Sequence, residues 1–354
     1  MDVNSELNFK SMPIIDSDDY SPPLWLPDGH SQTIFPSLFR KIKGINYVRE
    51  RIKTEDGDFL DLDKAPSAPS GRTLDSKFLD TLSKSVSKVP PLGAEGASLI
   101  ILSHGLEGNT SRQYITGMVK NFNNHGFDCI AWNFRSCSGE MNQTKTFYHS
   151  GATEDLEIVI KYSLSKGYQK IYLVGFSLGG NLTLKYLGEK GQNLYPEIQK
   201  AVTFSVPLHL SSSGRKIGWL YTKRFNKSLI KKILEKSQRF PEFNINTSDI
   251  AKIKTLKDFD DAYTSQLHGF IDAEDYYERN SSLYFLDKIN IPTLIINAQN
   301  DPFLSKECFP FEKIRHLEKI YFQAPKSGGH CGFYPADYQG VLWSESRALE
   351  WILN

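Results

Sequence analysis

Six short apolar runs constrain this chain most: ASLIILSH (97–104), FDCIAWNF (127–134), KIYLVGF (170–176), AVTFSVP (201–207), PTLIINAQ (292–299) and EKIYFQAP (318–325). Each is rich in Ile, Val, Leu and Phe and apolar on both faces. That pattern predicts parallel strands covered by helices on each side. Helical segments lie between them. Residues 111–124 end before Gly126. Residues 154–165 follow Thr153, carry Glu154 and Asp155 in the first turn and stop at Gly167. Both glycines can take the left-handed position that closes a helix. Repeated strand–helix units predict an α/β fold with a mostly parallel sheet and right-handed crossovers.

The alternation breaks between 208 and 288, a span of helical pattern between two expected strands, which reads as an inserted helical cap. The expected layout is a poorly ordered segment at 1–20, a core at 21–207 and 289–354, and a cap at 208–288. Residues 46–64 read as an antiparallel hairpin turning at Asp56-Gly57. Residues 65–96 are dominated by Pro, Ser, Gly, Ala and Lys and read as a surface insertion without assigned function. A length of 354 residues gives a loose prior of about two domains, and one large domain with an inserted lobe fits equally well.

Charge and composition exclude several classes. Lys+Arg is 42 and Asp+Glu is 41, so the net charge of +1 lacks the basic excess of a nucleic-acid binder. No stretch approaches 18 consecutive apolar residues, so no transmembrane segment is expected. The first residues, MDVNSELNFK, contain no apolar secretory core. Cys129, Cys137, Cys308 and Cys331 form no CxxC pair, so reduced thiols and a cytoplasmic setting are expected. No phosphate-binding loop, no dinucleotide fingerprint, no H-E-x-x-H and no calcium-loop spacing occur, so the chemistry is expected to need no cofactor and no metal.

Residues 175–179 read Gly-Phe-Ser-Leu-Gly, a G-x-S-x-G. Alone the pattern is weak, and an idle serine in a tight turn would also produce it. Its setting is more specific. It follows the apolar run KIYLV and precedes the helical run LGGNLTLKYLGEK, the strand-to-helix elbow that presents a nucleophile. Gly175 and Gly179 leave room for the turn, and Ser177 comes to a helix N-terminus that favours developing negative charge. A serine nucleophile needs a base, and the base needs an orienting carboxylate. Asp301 in Ala-Gln-Asn-Asp-Pro-Phe and His330 in Gly-Gly-His-Cys-Gly-Phe each lie just past an expected strand, where ligands bind in open parallel sheets. If Asp301 were not the acid, Asp260 or Asp287 would be next. His104, in His-Gly-Leu-Glu-Gly, reads as part of an oxyanion loop rather than as the base. The expected oxyanion donors are the backbone N–H groups of Leu106 and Leu178. His30, His125, His149, His209, His268 and His316 read as structural, and Cys331 as packing.

The chain resembles the YheT-like branch of the α/β-hydrolases, the AB-hydrolase-4 family. The resemblance rests on Pro-Pro-Leu-Trp-Leu-Pro-Asp-Gly-His-Ser-Gln-Thr-Ile (22–34), Ser-His-Gly-Leu-Glu-Gly-Asn (103–109) and Ala-Trp-Asn-Phe-Arg-Ser-Cys-Ser-Gly-Glu (131–140). It extends through Tyr-His-Ser-Gly-Ala-Thr-Glu-Asp-Leu (148–156), Gly-Phe-Ser-Leu-Gly-Gly-Asn (175–181), Asp-Tyr-Tyr (275–277), Asn-Asp-Pro-Phe (300–303) and Gly-Gly-His-Cys-Gly-Phe (328–333). It covers roughly residues 20–354. It implies the α/β-hydrolase fold and serine esterase or acylglycerol lipase activity, with Ser177, Asp301 and His330 in the triad positions. Ser136 departs from the family pattern, standing where a glycine is usual, and the 65–96 insertion is longer than compact members need.

The expected substrate is a small acyl ester, short- to medium-chain, with monoacylglycerols included. Trp219, Tyr221, Phe225 and Phe240 of the cap, with Phe333 and Tyr334, are expected to wall an apolar acyl pocket. The alternatives are a thioesterase or alcohol acyltransferase using the same triad, and a hydrolase-fold binding protein without turnover. Residues 211–240 hold nine basic residues and one acid, a local charge of +8, with Leu229, Ile230, Ile233 and Leu234 at helical spacing. That segment could meet anionic lipid peripherally, but an ordinary cap helix with lysines in water is the favoured reading.

Overall fold

The computed structural model describes residues 13–15, 20–67, 98–240 and 247–354. Nine strands form one sheet: β1 (Ile14–Ile15), β2 (Val48–Lys53), β3 (Phe59–Ala65), β4 (Ser98–Ser103), β5 (Asp128–Asn133), β6 (Lys170–Phe176), β7 (Ile198–Phe204), β8 (Thr293–Ile296) and β9 (Ile320–Gln323). Their order is β1-β9-β8-β7-β6-β4-β5-β3-β2. Only the β2–β3 and β3–β5 pairs are antiparallel. All six expected core strands are present. Leu99 and Ile101 of β4 enter one hydrophobic core, while Ile100 and Leu102 enter the other. Side chains alternate across a strand, so a run apolar at every position fits a sheet buried on both faces.

The helices follow the same logic. They are α1 (Gly29–Phe39), α2 (Gln113–Asn124), α3 (Thr153–Ser165), α4 (Leu178–Lys190), α5 (Leu210–Lys216), α6 (Trp219–Arg239), α7 (Thr247–Ile250), α8 (Leu256–Phe259), α9 (Ser265–His268), α10 (Ala273–Asn280), α11 (Phe311–Ile314) and α12 (Trp343–Leu353). Gly126 and Gly167, which close α2 and α3, have φ of 82° and 87°. α2 begins two residues later than its sequence suggests, because the Asn109 side chain accepts from the Ser111 N–H and holds a turn there. β7 ends at Phe204 rather than at 207, because Ser205 turns to φ 53° and leaves the sheet.

One expectation needs amendment, and another falls largely outside the described residues. Within the 1–20 segment, Ile14–Ile15 form a strand parallel to β9, and Phe322 N–H donates to Pro13 C=O at 2.6 Å. The 65–96 insertion is described only at its start. Ala65 ends β3, and residues 68–97 lie outside the described residues.

Between β7 and β8 the described residues are mostly helical, from α5 through α10, with a π-helical turn at Asp260–Thr264. The stripe of α6 bearing Leu229 and Ile233 is buried in the core, and several of its cations are spent internally. Lys232 pairs with Glu107 at 2.6 Å, and buried Lys236 donates to Asn142 and to Thr144 C=O. The ordinary cap-helix reading therefore describes this face. No helix among the described residues is long and apolar enough to cross a membrane.

Candidate active site

Strand β6 and helix α4 meet at Ser177, whose φ of 53° and ψ of −119° place a non-glycine residue in a strained region. Such a conformation costs on the order of 1–3 kcal/mol and persists only where the surroundings enforce it. Here they do. Ser177 N–H donates to Phe204 C=O at 2.8 Å, and Ser177 C=O accepts from Asn181 N–H at 3.0 Å. A side chain at Gly179 would come within 2.4 Å of the Ser103 and His104 carbonyl oxygens, and one at Gly175 within 2.7 Å of Gly179 C=O. Helix α4 can pack this closely on β4 only because both positions are glycine.

The loops after β8 and β9 bring Asp301 and His330 to the same rim. His330 Nε2 lies 2.9 Å from Ser177 Oγ, and His330 Nδ1 lies 2.9 Å from Asp301 Oδ2 and 3.1 Å from Oδ1. Asp301 is fully buried and also accepts from Phe303 N–H. Burial opposes a charge on the imidazole, but the Asp301 carboxylate outweighs it, so the ring is pushed up to about 10. The other acids weighed from sequence are bonded to other partners. Asp260 sits in the cap, where it accepts from Thr264 and Tyr277, and Asp287 is 3.7 Å from Lys313.

The loop expected to bind an oxyanion is held from behind. His104 is fully buried, and desolvation pushes it down to about 3, so it is neutral. Its Nε2 accepts from Phe134 N–H at 3.2 Å, so Nδ1 carries the proton and donates to Gly105 C=O at 2.8 Å. Gly108 N–H donates to the same carbonyl at 2.9 Å. In a trans peptide the carbonyl and the following N–H point in opposite directions. Two donors fixed on Gly105 C=O therefore turn the Leu106 N–H the other way. Leu178 opens α4, where a first-turn N–H has no partner inside the helix. Gly105, Leu106, Ser177, Leu178 and His330 all line one cavity of about 1140 Å³.

Much of the support comes from residues without an expected role. Gln32 Oε1 accepts from Gly328 N–H at 2.7 Å and from Asn300 Nδ2 at 3.0 Å. Thr33 Oγ1 accepts from His330 N–H at 2.8 Å. Helix α1 thus ties together the two loops that carry Asp301 and His330. A side chain at Gly332 would meet Gln32 C=O at 2.2 Å, so that loop lies directly against the helix backbone. On the opposite side, Glu107 accepts from Tyr148 OH at 2.6 Å, from Lys232 and from Ser228, joining the 104–108 loop to cap helix α6. The stretch 22–34 stood out in the sequence, but contacts across some 300 residues leave no local pattern.

Part of the expected pocket wall needs correction. Tyr221 and Phe225 line the cavity, whereas Trp219, Phe240, Phe333 and Tyr334 do not. Trp219 is 75 % exposed and Phe333 is fully buried in the core. Tyr334 packs on Trp25 and Phe35, and the Phe240 ring lies 5.9 Å from Lys236 Nζ. Apolar walls come instead from Phe147, Ile217, Leu229, Leu256 and Phe259. Ser136 takes φ 64°, where a glycine would be unstrained, and its hydroxyl bonds Asn142, so the departure is absorbed within its own loop. Cys331 is buried, as packing requires, and also touches the cavity beside His330. Of the remaining histidines, His30 meets Tyr221 OH at 3.0 Å, His209 caps α5, and the His149 and His268 rings pack at a tilt, 4.4 Å apart.

A family model described as alpha/beta hydrolase fold matches residues 98–336. Among curated proteins, YheT of Escherichia coli (strain K12) is 29 % identical, over 95 % of this chain and 93 % of its own length. A phospholipase, ABHD3, of Mus musculus is 27 % identical over 90 % of this chain and 74 % of its own. A monoacylglycerol lipase of Saccharomyces cerevisiae is 26 % identical over 90 % and 76 %.

Proposed function

The chain belongs to the alpha/beta hydrolase fold family, and from that premise we propose that it is a serine hydrolase that cleaves carboxylic esters through an acyl-enzyme on Ser177. The observation that carries this reading is the unbroken line from Ser177 Oγ through the His330 ring to the buried Asp301 carboxylate, with 2.9 Å at each junction. A binding protein needs neither this alignment nor a strained serine backbone. The names of the relatives, a phospholipase and a monoacylglycerol lipase among them, support acyl esters as the substrate class.

The reaction follows from the geometry. His330 takes the Ser177 proton at Nε2 as the hydroxyl oxygen attacks the ester carbonyl. Asp301 holds the proton on Nδ1 and stabilises the imidazolium that forms. The negative oxygen is met by Leu106 and Leu178 N–H groups. Each such donor lowers the barrier by about 2.7–4 kcal/mol. His330 then protonates the leaving alcohol, and the ester bond breaks. Water, activated by the same nitrogen, releases the acid. The largely apolar cap walls suit short- to medium-chain acyl groups, monoacylglycerols included. Such walls separate chain lengths weakly, by about 1–3 kcal/mol per methylene.

The test is labelling with a fluorophosphonate, combined with a panel of acyl esters. Wild-type protein should label and turn over esters, and Ser177→Ala should lose both with its melting temperature unchanged. Labelling that survives in Ser177→Ala sinks the assignment. Faster release from acyl-CoA, or acyl transfer to added alcohol in preference to water, would redirect it to a thioesterase or an acyltransferase.

A further inference from the structure

Twelve large hydrophobic side chains are exposed among the described residues, and seven of them sit on two segments at the cavity mouth. Leu24, Trp25, Ile34, Leu38 and Phe39 belong to α1 and the loop before it, at 98 %, 56 %, 37 %, 56 % and 67 % exposure. Trp219 and Leu220 open α6 at 75 % and 57 %. The segments touch where His30 meets Tyr221, and Leu38 and Leu220 also line the cavity. Trp25, Phe35 and Phe39 form a continuous ridge, with ring centroids 4.5 and 5.1 Å apart. Lys41, Lys43, Lys223, Arg224 and Lys227 are exposed around this rim. The carboxylate on these stretches, Asp28, is occupied in capping α1.

We infer that this rim docks onto an anionic lipid surface and opens the cavity toward it. Exposed Trp, Phe and Leu flanked by cations suit the boundary between headgroups and acyl chains. A second copy of this chain is the poorer occupant, because two such basic faces repel. The surface differs from the Leu229–Ile233 stripe of α6, which is buried. An acyl chain could pass from the lipid into the cavity along Leu38 and Leu220 without crossing water. That consequence deepens the esterase reading and rests on it, whereas the docking does not.

The test is vesicle flotation with phosphatidylcholine alone and with phosphatidylserine added. Wild-type protein should float with the anionic vesicles and release as salt rises. The triple variant Leu24→Ser, Phe39→Ser, Trp219→Ser should bind on the order of a hundredfold more weakly. Its melting temperature and its turnover of a water-soluble ester should stay unchanged, since none of the three lines the cavity. Wild-type protein that floats with neither vesicle, or a triple variant that floats equally well, overturns the inference. A lipid-free dimer that the variant dissolves overturns it in favour of self-association. Flotation is read separately in Ser177→Ala, so failure of the esterase reading shows in turnover and leaves the binding result standing.

A second inference rests on a different group. Tyr114 OH accepts from Gly105 N–H at 3.1 Å, and its own proton has no acceptor among the described residues. Its ring packs on Phe176, 4.8 Å away, and the side chain lines the cavity beside Ser177. A Cβ built on Gly105 would be 3.1 Å from Ser177 Cβ and 3.4 Å from Tyr114 OH, so the two hydroxyl-bearing residues flank the same glycine. We propose that the Tyr114 hydroxyl is a third donor to the oxyanion. Burial holds the phenol well above its usual range, so it stays protonated.

Resting on the esterase reading, this proposal predicts that Tyr114→Phe lowers kcat on the order of 10²-fold with little change in KM. Replacement by fluorotyrosine separates donor from acceptor. A more acidic phenol donates better and accepts worse, so rates that hold or rise support donation. Rates that fall toward those of Tyr114→Phe mean the hydroxyl only props Gly105, and the proposal fails. It fails too if Tyr114→Phe turns over like wild type, an outcome distinct from a wild type without turnover.

Discussion

The two sides of the site are held by different means. Ser177 is fixed by its neighbours in sequence: a strand before it, a helix after it, and two glycines whose missing side chains let the elbow close. His330 is fixed by residues some 300 positions away, through Gln32 and Thr33 on α1. The first device is steric and local, and it leaves a five-residue pattern. The second is a set of single hydrogen bonds between loops, and it leaves none. Rigidity at Ser177 is therefore built into the chain, whereas the position of His330 depends on tertiary assembly.

The sharpest way to break that contrast is at the acid. Asp301→Asn should leave the fold intact and slow turnover on the order of 10⁴-fold, because the amide favours the wrong imidazole tautomer. Near-normal rates would mean that Asp301 does not orient the base. The same carboxylate sets a pH dependence. His330 must be neutral to accept the Ser177 proton, and Asp301 raises it above the ordinary histidine value of 6.5. Turnover in wild type should therefore climb with pH on the alkaline side of 6.5. The imidazolium–carboxylate stabilisation is complete below 6.5 and is lost as pH rises through the folded value. In Asp301→Asn the climbing limb should move toward acid, and a limb that stays put would contradict the electrostatic cause.

A smaller effect is expected at the remote support. Gln32→Leu combined with Thr33→Val removes the acceptors for Gly328 and His330 N–H. It should cost on the order of 10²-fold in kcat, the scale of a base displaced by about 1 Å. The local elbow should remain formed, so fluorophosphonate labelling of Ser177 should slow rather than vanish. Equal rates in this variant and wild type would show that the His330 loop is self-supporting. Smallest is the cap contact. Lys232→Met leaves Glu107 with Tyr148 and Ser228, so we expect a loss of about 1–3 kcal/mol in stability, read as a lower melting temperature, and only a few-fold change in turnover. A larger kinetic loss would mean that α6 positions the oxyanion loop.

The division between local and remote explains what was legible in the sequence. The six core strands and their flanking helices follow from apolar runs and glycine stops. Ser177, Asp301 and His330 follow from a strand-end position and a motif. The structure brings those three together at hydrogen-bonding distance, with His104 behind the Gly105 carbonyl. Trp219 and Phe333 stand away from the cavity, and aromatic content does not say which way a side chain points. One faces solvent and the other lies under the sheet. Gln32 and Tyr114 carried no signal, since a buried glutamine and a half-buried tyrosine look ordinary until their partners are known.

The sheet ends in two unlike borders. At β2, Arg49 and Arg51 pair with Asp63 and Asp61 and leave a charged margin. At the other end, among the described residues, only Ile14–Ile15 stand beyond β9. A lone margin of unpaired N–H and C=O groups invites foreign strands, and charge or a short covering strand deters them. Removing residues 1–19 should therefore bare β9 and make the protein clump edge to edge on storage, long before its fold is lost.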